Sequence, residues 1–67
     1  MWNPIIGENA GKIYQVLSEK GTVGITVLKK ETKLDDNWVY LGLGWLARED
    51  KVAFILEGQQ VKVVLKE

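Results

Sequence analysis

The side chains here that could do chemistry are few, and their spacing argues against most of it. The chain has no His and no Cys, which removes the commonest general base, the best nucleophile and any ordinary zinc site. Ser18 is the only serine, with no base beside it in sequence. The acidic pairs Asp35-Asp36 and Glu49-Asp50 fit the start and exit of a helix rather than a catalytic cleft. Gly42-x-Gly44-x-x-Ala47 matches a dinucleotide-binding fingerprint. That fingerprint works only after a strand, inside a βαβ unit of about 30 residues, with an acid about 20 positions on. Here it falls inside a helical pattern, and no such unit fits. The expectation is a non-enzymatic protein with no cofactor, metal or small-molecule substrate.

Two other groups of residues point to binding. Lys29, Lys30 and Lys33 cluster, with Lys12 and Lys20 nearby on another helical segment. They read either as solvated helix faces or as a patch for phosphate. Trp38, Leu41 and Trp45 have helical spacing. They read as core, as an interface, or as a surface for stacking nucleobases.

The elements that position these groups follow from punctuation and period. Asn3-Pro4 reads as an N-cap followed by the first helical residue, with Glu8 near the positive end. Ile5, Ile6, Ala10, Ile13, Tyr14, Val16 and Leu17 then keep a helical period. Gly21 ends that helix, with Lys20 in its last turn. Gly7 and Gly11 weaken it by about 1 kcal/mol each relative to Ala, and lie on one face where a neighbour could pack closely. A short strand is expected over residues 22–25. Thr26 is expected to cap a second helix reaching about Lys33. Asp35 caps a third, with Asp36 in its first turn, running to about Glu49.

Val52 to Leu65 reads as a β-hairpin around a two-residue type II′ turn at Gly58-Gln59. The register pairs Glu57–Gln60, Leu56–Val61, Ile55–Lys62, Phe54–Val63, Ala53–Val64 and Val52–Leu65. One face then gathers Val52, Phe54, Leu56, Val61, Val63 and Leu65. The other gathers Ala53, Ile55, Glu57, Gln60, Lys62 and Val64. A slip of one residue would destroy this separation.

The element order, α-β-α-α-β-β, is that of an α+β winged helix-turn-helix, with the hairpin as the wing, and residues 1–67 are expected to form one domain. The segment ITVLKKETKLDDNWVYLGLGWLAREDKV (25–52) closely resembles winged helix-turn-helix sequences. Its core positions are Leu28, Leu34, Val39, Leu43 and Leu46. Through IGENAGKIYQVL (6–17) and LGWLARED (43–50) nearly the whole chain also resembles a small prokaryotic winged-helix family known as a domain of unknown function. The resemblance implies the fold and a homodimer, and brings no ligand or catalytic residues.

On a helical wheel Val39, Leu43 and Leu46 form the core stripe of the third helix, and Trp38, Leu41 and Trp45 form a second. Together they cover roughly 200° of arc, where a helix in a two-layer domain hides about 100° or a little more. Gly42 falls between the stripes, where a close helix contact would need a missing side chain. Three tryptophans among 67 residues exceed what one small core uses. A core of this size supplies only about 3–5 kcal/mol, so such domains often need a staple; without cysteine or histidine, oligomerisation or an unusually good helical core remains. The candidate interface is therefore Trp38, Leu41 and Trp45, with Trp2 and, on the outer face of the wing, Ile55 beside Ala53 and Val64.

The net charge is zero, from nine basic and nine acidic residues, whereas nucleic-acid modules are usually basic. Where a winged helix would meet DNA, this chain offers Asn37 and Tyr40, with Lys29, Lys30, Lys33 and Lys62 to reach phosphates, but Asp36 would repel the backbone. The leading expectation is a homodimeric protein-interaction or assembly module. The alternative is a duplex-DNA-binding regulator. No signal peptide or membrane span is expected, and the cytoplasm is the expected compartment.

Overall fold

In the computed structural model, residues 3–66 are described; Trp2 lies outside them. The elements are α1 (Asn3–Lys20), β1 (Val23–Gly24), α2 (Ile25–Thr32), α3 (Asp36–Arg48), β2 (Val52–Glu57) and β3 (Gln60–Leu65). This is the expected winged helix-turn-helix order. The strands form one antiparallel sheet in the order β1-β3-β2.

The hairpin has the expected register at every pair from Val52–Leu65 to Glu57–Gln60. Gly58 sits at φ +63, while Gln59 is not among the residues at positive φ, the combination a type II′ turn needs. β1 adds Val23 opposite Val63 and Gly24 opposite Lys62. Val23 and Val63 are both buried, so the short strand closes the sheet over the core.

α1 begins at Asn3, one residue before the capping reading placed it. Glu8 falls beyond the first turn, outside the reach of the helix dipole. β1 is shorter than expected, and Thr26 is not a cap. Gly24 holds the N-cap position in an extended conformation with no side-chain bond, and Thr26 lies one position inside α2. The helix starts directly on the last strand residue, leaving no room for a separate capping turn. Lys33 closes α2 in the left-handed region, φ 61, donating its N–H to the Lys29 carbonyl. Asp35 caps α3 as expected: Trp38 N–H donates to Asp35 Oδ1 at 3.1 Å.

The core consists of Ala10, Ile13 and Leu17 from α1, Leu28 from α2, Val39, Leu43 and Leu46 from α3, and Val23, Val52 and Val63 from the sheet. Leu34 packs against it. Asn9, which apolar periodicity could not select, is also buried. The close helix contact lies at Gly42. A Cβ there would stand 2.7 Å from Ile13 Cδ1 and 3.4 Å from the Ala10 nitrogen. Gly7 and Gly11 do not take part, since a Cβ at either would meet nothing within 4 Å. α1 faces α3 through Ala10 and Ile13, which leaves the Gly7–Gly11 side open.

Candidate functional site

α3 buries Val39, Gly42, Leu43 and Leu46. The second stripe is only partly covered. Trp38 is half-buried, while Leu41 is 38% exposed and Trp45 39%. Tyr40, flanking it, is 59% exposed. A plain core role therefore fails for Leu41 and Trp45. Trp45 continues onto α1. With Gly7, Gly11, Tyr14, Glu49 and Lys51 it lines a shallow groove of about 270 Å³. The Lys51 ammonium lies 5.9 Å from the centre of the Tyr14 ring at its edge, within cation–π range. The open glycines are thus the floor of a surface groove. At the other end of α3, Asn37, Trp38, Tyr40 and Leu41 border a second depression of about 380 Å³.

The candidate DNA-contacting residues divide. Lys29, Tyr40 and Lys62 come together in a groove of about 530 Å³ between the start of α2, the start of α3 and the wing, with Gln59 and Gln60. Lys30 and Lys33 are exposed outside it, and Asn37 borders the other depression. Both lysines of the groove are already paired. Lys29 bonds the Asp36 carboxylate, and Lys62 lies 3.0 Å from Glu57. Asp36, by its hydrogen bond first and its charge second, holds the Lys29 ammonium above the ordinary lysine pKa. A phosphate entering here would compete with two carboxylates.

The wing holds what sequence reasoning missed. Its inner face is buried at the base, at Val52 and Val63, yet Phe54 is 47% exposed and Leu56 74%. On the outer face Ile55 is 38% exposed, with Ala53 and Val64 half-buried. A six-residue strand rises about 3.3 Å per residue, so the hairpin outruns the helices that cover its base. Alternation assigned the face correctly. Distance from the core was the signal for exposure, and it was available in the strand length.

The lone serine is engaged within its own helix. The Ser18 hydroxyl donates to the Tyr14 carbonyl at 3.0 Å, a bond inside its own helix. Among the described residues no group of His, Cys, Asp or Glu could hold a metal ion, and no helix is long and apolar enough to cross a membrane.

Three helices, a short strand after the first, and a hairpin whose central strand pairs with it define a winged helix-turn-helix domain. Residues 1–65 match the family described as winged helix-turn-helix domain (DUF2582), and the chain belongs to that family. Among its relatives, an uncharacterized protein of Methanocaldococcus jannaschii, MJ1608, is 38% identical over 68 residues, covering 98% of this chain and 96% of its own. The solution NMR structure of protein BT2368 from Bacteroides thetaiotaomicron superposes with a TM-score of 0.90 at 32% identity, covering 97% of this chain and 79% of that one.

Proposed function

We propose that this chain is a non-enzymatic interaction module that works as a homodimer and binds protein rather than DNA. The observation that carries the reading is the solvent side of α3. It presents Tyr40, Leu41 and Trp45 to water, and its one basic residue, Arg48, stands at the exit. A DNA-reading helix needs polar groups for base edges and cations for phosphate. An exposed apolar surface rimmed by polar residues instead marks a protein interface. The wing adds a second such surface at Phe54, Ile55 and Leu56. Cytoplasmic residence belongs to the same reading, and a chain without cysteine is compatible with it.

One observation favours DNA as the second reading: Lys29, Tyr40 and Lys62 border one groove. The two readings separate in an amide NMR titration with mixed-sequence duplex DNA at low and then moderate salt. The interaction module gives no shifts at high concentrations of both. Shifts at Lys29, Tyr40, Gln59 and Lys62 that salt reverses would make the protein a DNA binder, because phosphate contacts weaken steeply with ionic strength.

A further inference from the structure

Among the described residues, the sheet has β1 and β2 as its two edge strands. β1 is only two residues long, and a very short strand is itself a defence against edge pairing. β2 has no such defence. Its sequence VAFILE contains no proline, no lysine and no glycine, and its only charge is Glu57, at the end. Among the described residues, the backbone of β2 pairs only with β3. Long apolar edges of this kind template the addition of another strand.

The hairpin's own bonding fixes which groups point outward. A two-residue turn closes on a hydrogen-bonded pair, here Glu57–Gln60, and hydrogen-bonded and unbonded pairs then alternate. Lys66 N–H donates to the Lys51 carbonyl at 2.8 Å, in phase with that alternation. Residues 51, 53, 55 and 57 therefore bond to β3. Val52, Phe54 and Leu56 turn their N–H and C=O groups to the open edge.

We propose that a second copy of this chain pairs antiparallel with that edge, about a two-fold axis through Phe54 and perpendicular to the sheet. This rests on the homodimer reading above and assigns it to the wing, leaving α3 free for another partner. The register is self-complementary. Phe54 lies opposite the partner's Phe54, and Val52 opposite the partner's Leu56. These are the residues whose backbone groups face outward, so every edge N–H finds a carbonyl. On the outer face Ala53 lies opposite the partner's Ile55, apolar against apolar. One step further, Lys51, which lies over the Tyr14 ring of its own chain, stands opposite the partner's Glu57, whose carboxylate it would share with the partner's Lys62. Moving the axis to Ile55 would instead place Ala53 against the partner's Glu57 and lose both matches. The pairing also covers Phe54 and Leu56, which the fold leaves half and three-quarters exposed.

The test combines sedimentation equilibrium with amide hydrogen exchange on the full chain. The wild type is a dimer in which the Phe54 and Leu56 amides exchange about tenfold slower or more than when dilution dissociates it. Phe54→Pro removes an N–H that the β2–β3 ladder does not use, and edge positions tolerate proline there. It weakens the dimer about tenfold or more, while Ile55 and Ala53 amides stay protected, showing an intact wing. In a Lys62→Gln background, which removes the pair Glu57 makes within its own wing, Lys51→Glu and Glu57→Lys each weaken the dimer, and the double swap recovers it. A dimer that survives Phe54→Pro with freely exchanging edge amides, or that shows no recovery in the double swap, overturns this pairing but not the dimer. A monomer at every concentration overturns both.

Discussion

Gly42 and Gly44 lie two residues apart on α3, and the same substitution should stabilise the fold at Gly44 but not at Gly42. At Gly42 an added Cβ would stand 2.7 Å from Ile13 Cδ1, with Ala10 backbone atoms at 3.4 and 3.5 Å. Carbon atoms prefer separations of about 3.5–4.0 Å, so Ile13 must retreat by about 1 Å. It is fully buried and has little room to do so. Overpacking of this kind costs about 1–3 kcal/mol. Alanine returns about 1 kcal/mol of helix propensity, so Gly42→Ala should be neutral to about 2 kcal/mol destabilising. At Gly44 an added Cβ meets nothing within 4 Å, and the residue is exposed. Gly44→Ala should therefore stabilise by about 1 kcal/mol. Since propensity cancels, the difference between the variants, about 1–3 kcal/mol, isolates the helix contact. In a domain of this size each kcal/mol moves Tm by about 4–8 °C. Urea unfolding at one shared protein concentration gives the midpoints, with m expected unchanged. Equal stabilisation by both alanines would refute the close α1–α3 approach.

Asp35→Ala removes the bond to the Trp38 amide and should cost about 0.5–2 kcal/mol in the same assay. Leu28→Ala empties a fully buried site at a cost of about 2–5 kcal/mol; against a core worth about 3–5 kcal/mol, the variant should become marginally stable and lose its near-UV circular dichroism at a much lower urea concentration than the wild type. The Lys29–Asp36 pair gives a pH signature. Because Asp36 raises the Lys29 pKa in the fold, the contribution from Lys29 is complete below the ordinary lysine pKa and disappears as pH rises through the raised value. Melting curves of the wild type and Lys29→Met should keep a constant separation from neutral to mildly alkaline pH and converge only in strong alkali.

The elements and the hairpin register were legible because several local signals agreed at each. Asp35 capped a periodic run, and Gly58-Gln59 sat between strands whose alternation admits one register. Thr26 misled because a capping residue type is common just inside a helix as well as before it. Gly7 and Gly11 misled because a glycine face records only that space is available, and the sequence does not say which glycine a neighbour uses. The excess of Trp38, Leu41 and Trp45 was visible on the wheel. How much of it α1 covers depended on tertiary placement, as did the pairing of Lys29 and Lys62 with Asp36 and Glu57. Phe54 and Leu56 were assigned to the inner face, and only the reach of the wing past the helices exposes them.

The central claim is that the apolar surface on this fold is used between protein chains. Sedimentation equilibrium from micromolar to millimolar protein, at low and high salt, tests it most directly. The expected result is a particle of about twice 7.6 kDa that persists at high salt. A 7.6 kDa particle at millimolar concentration would contradict it.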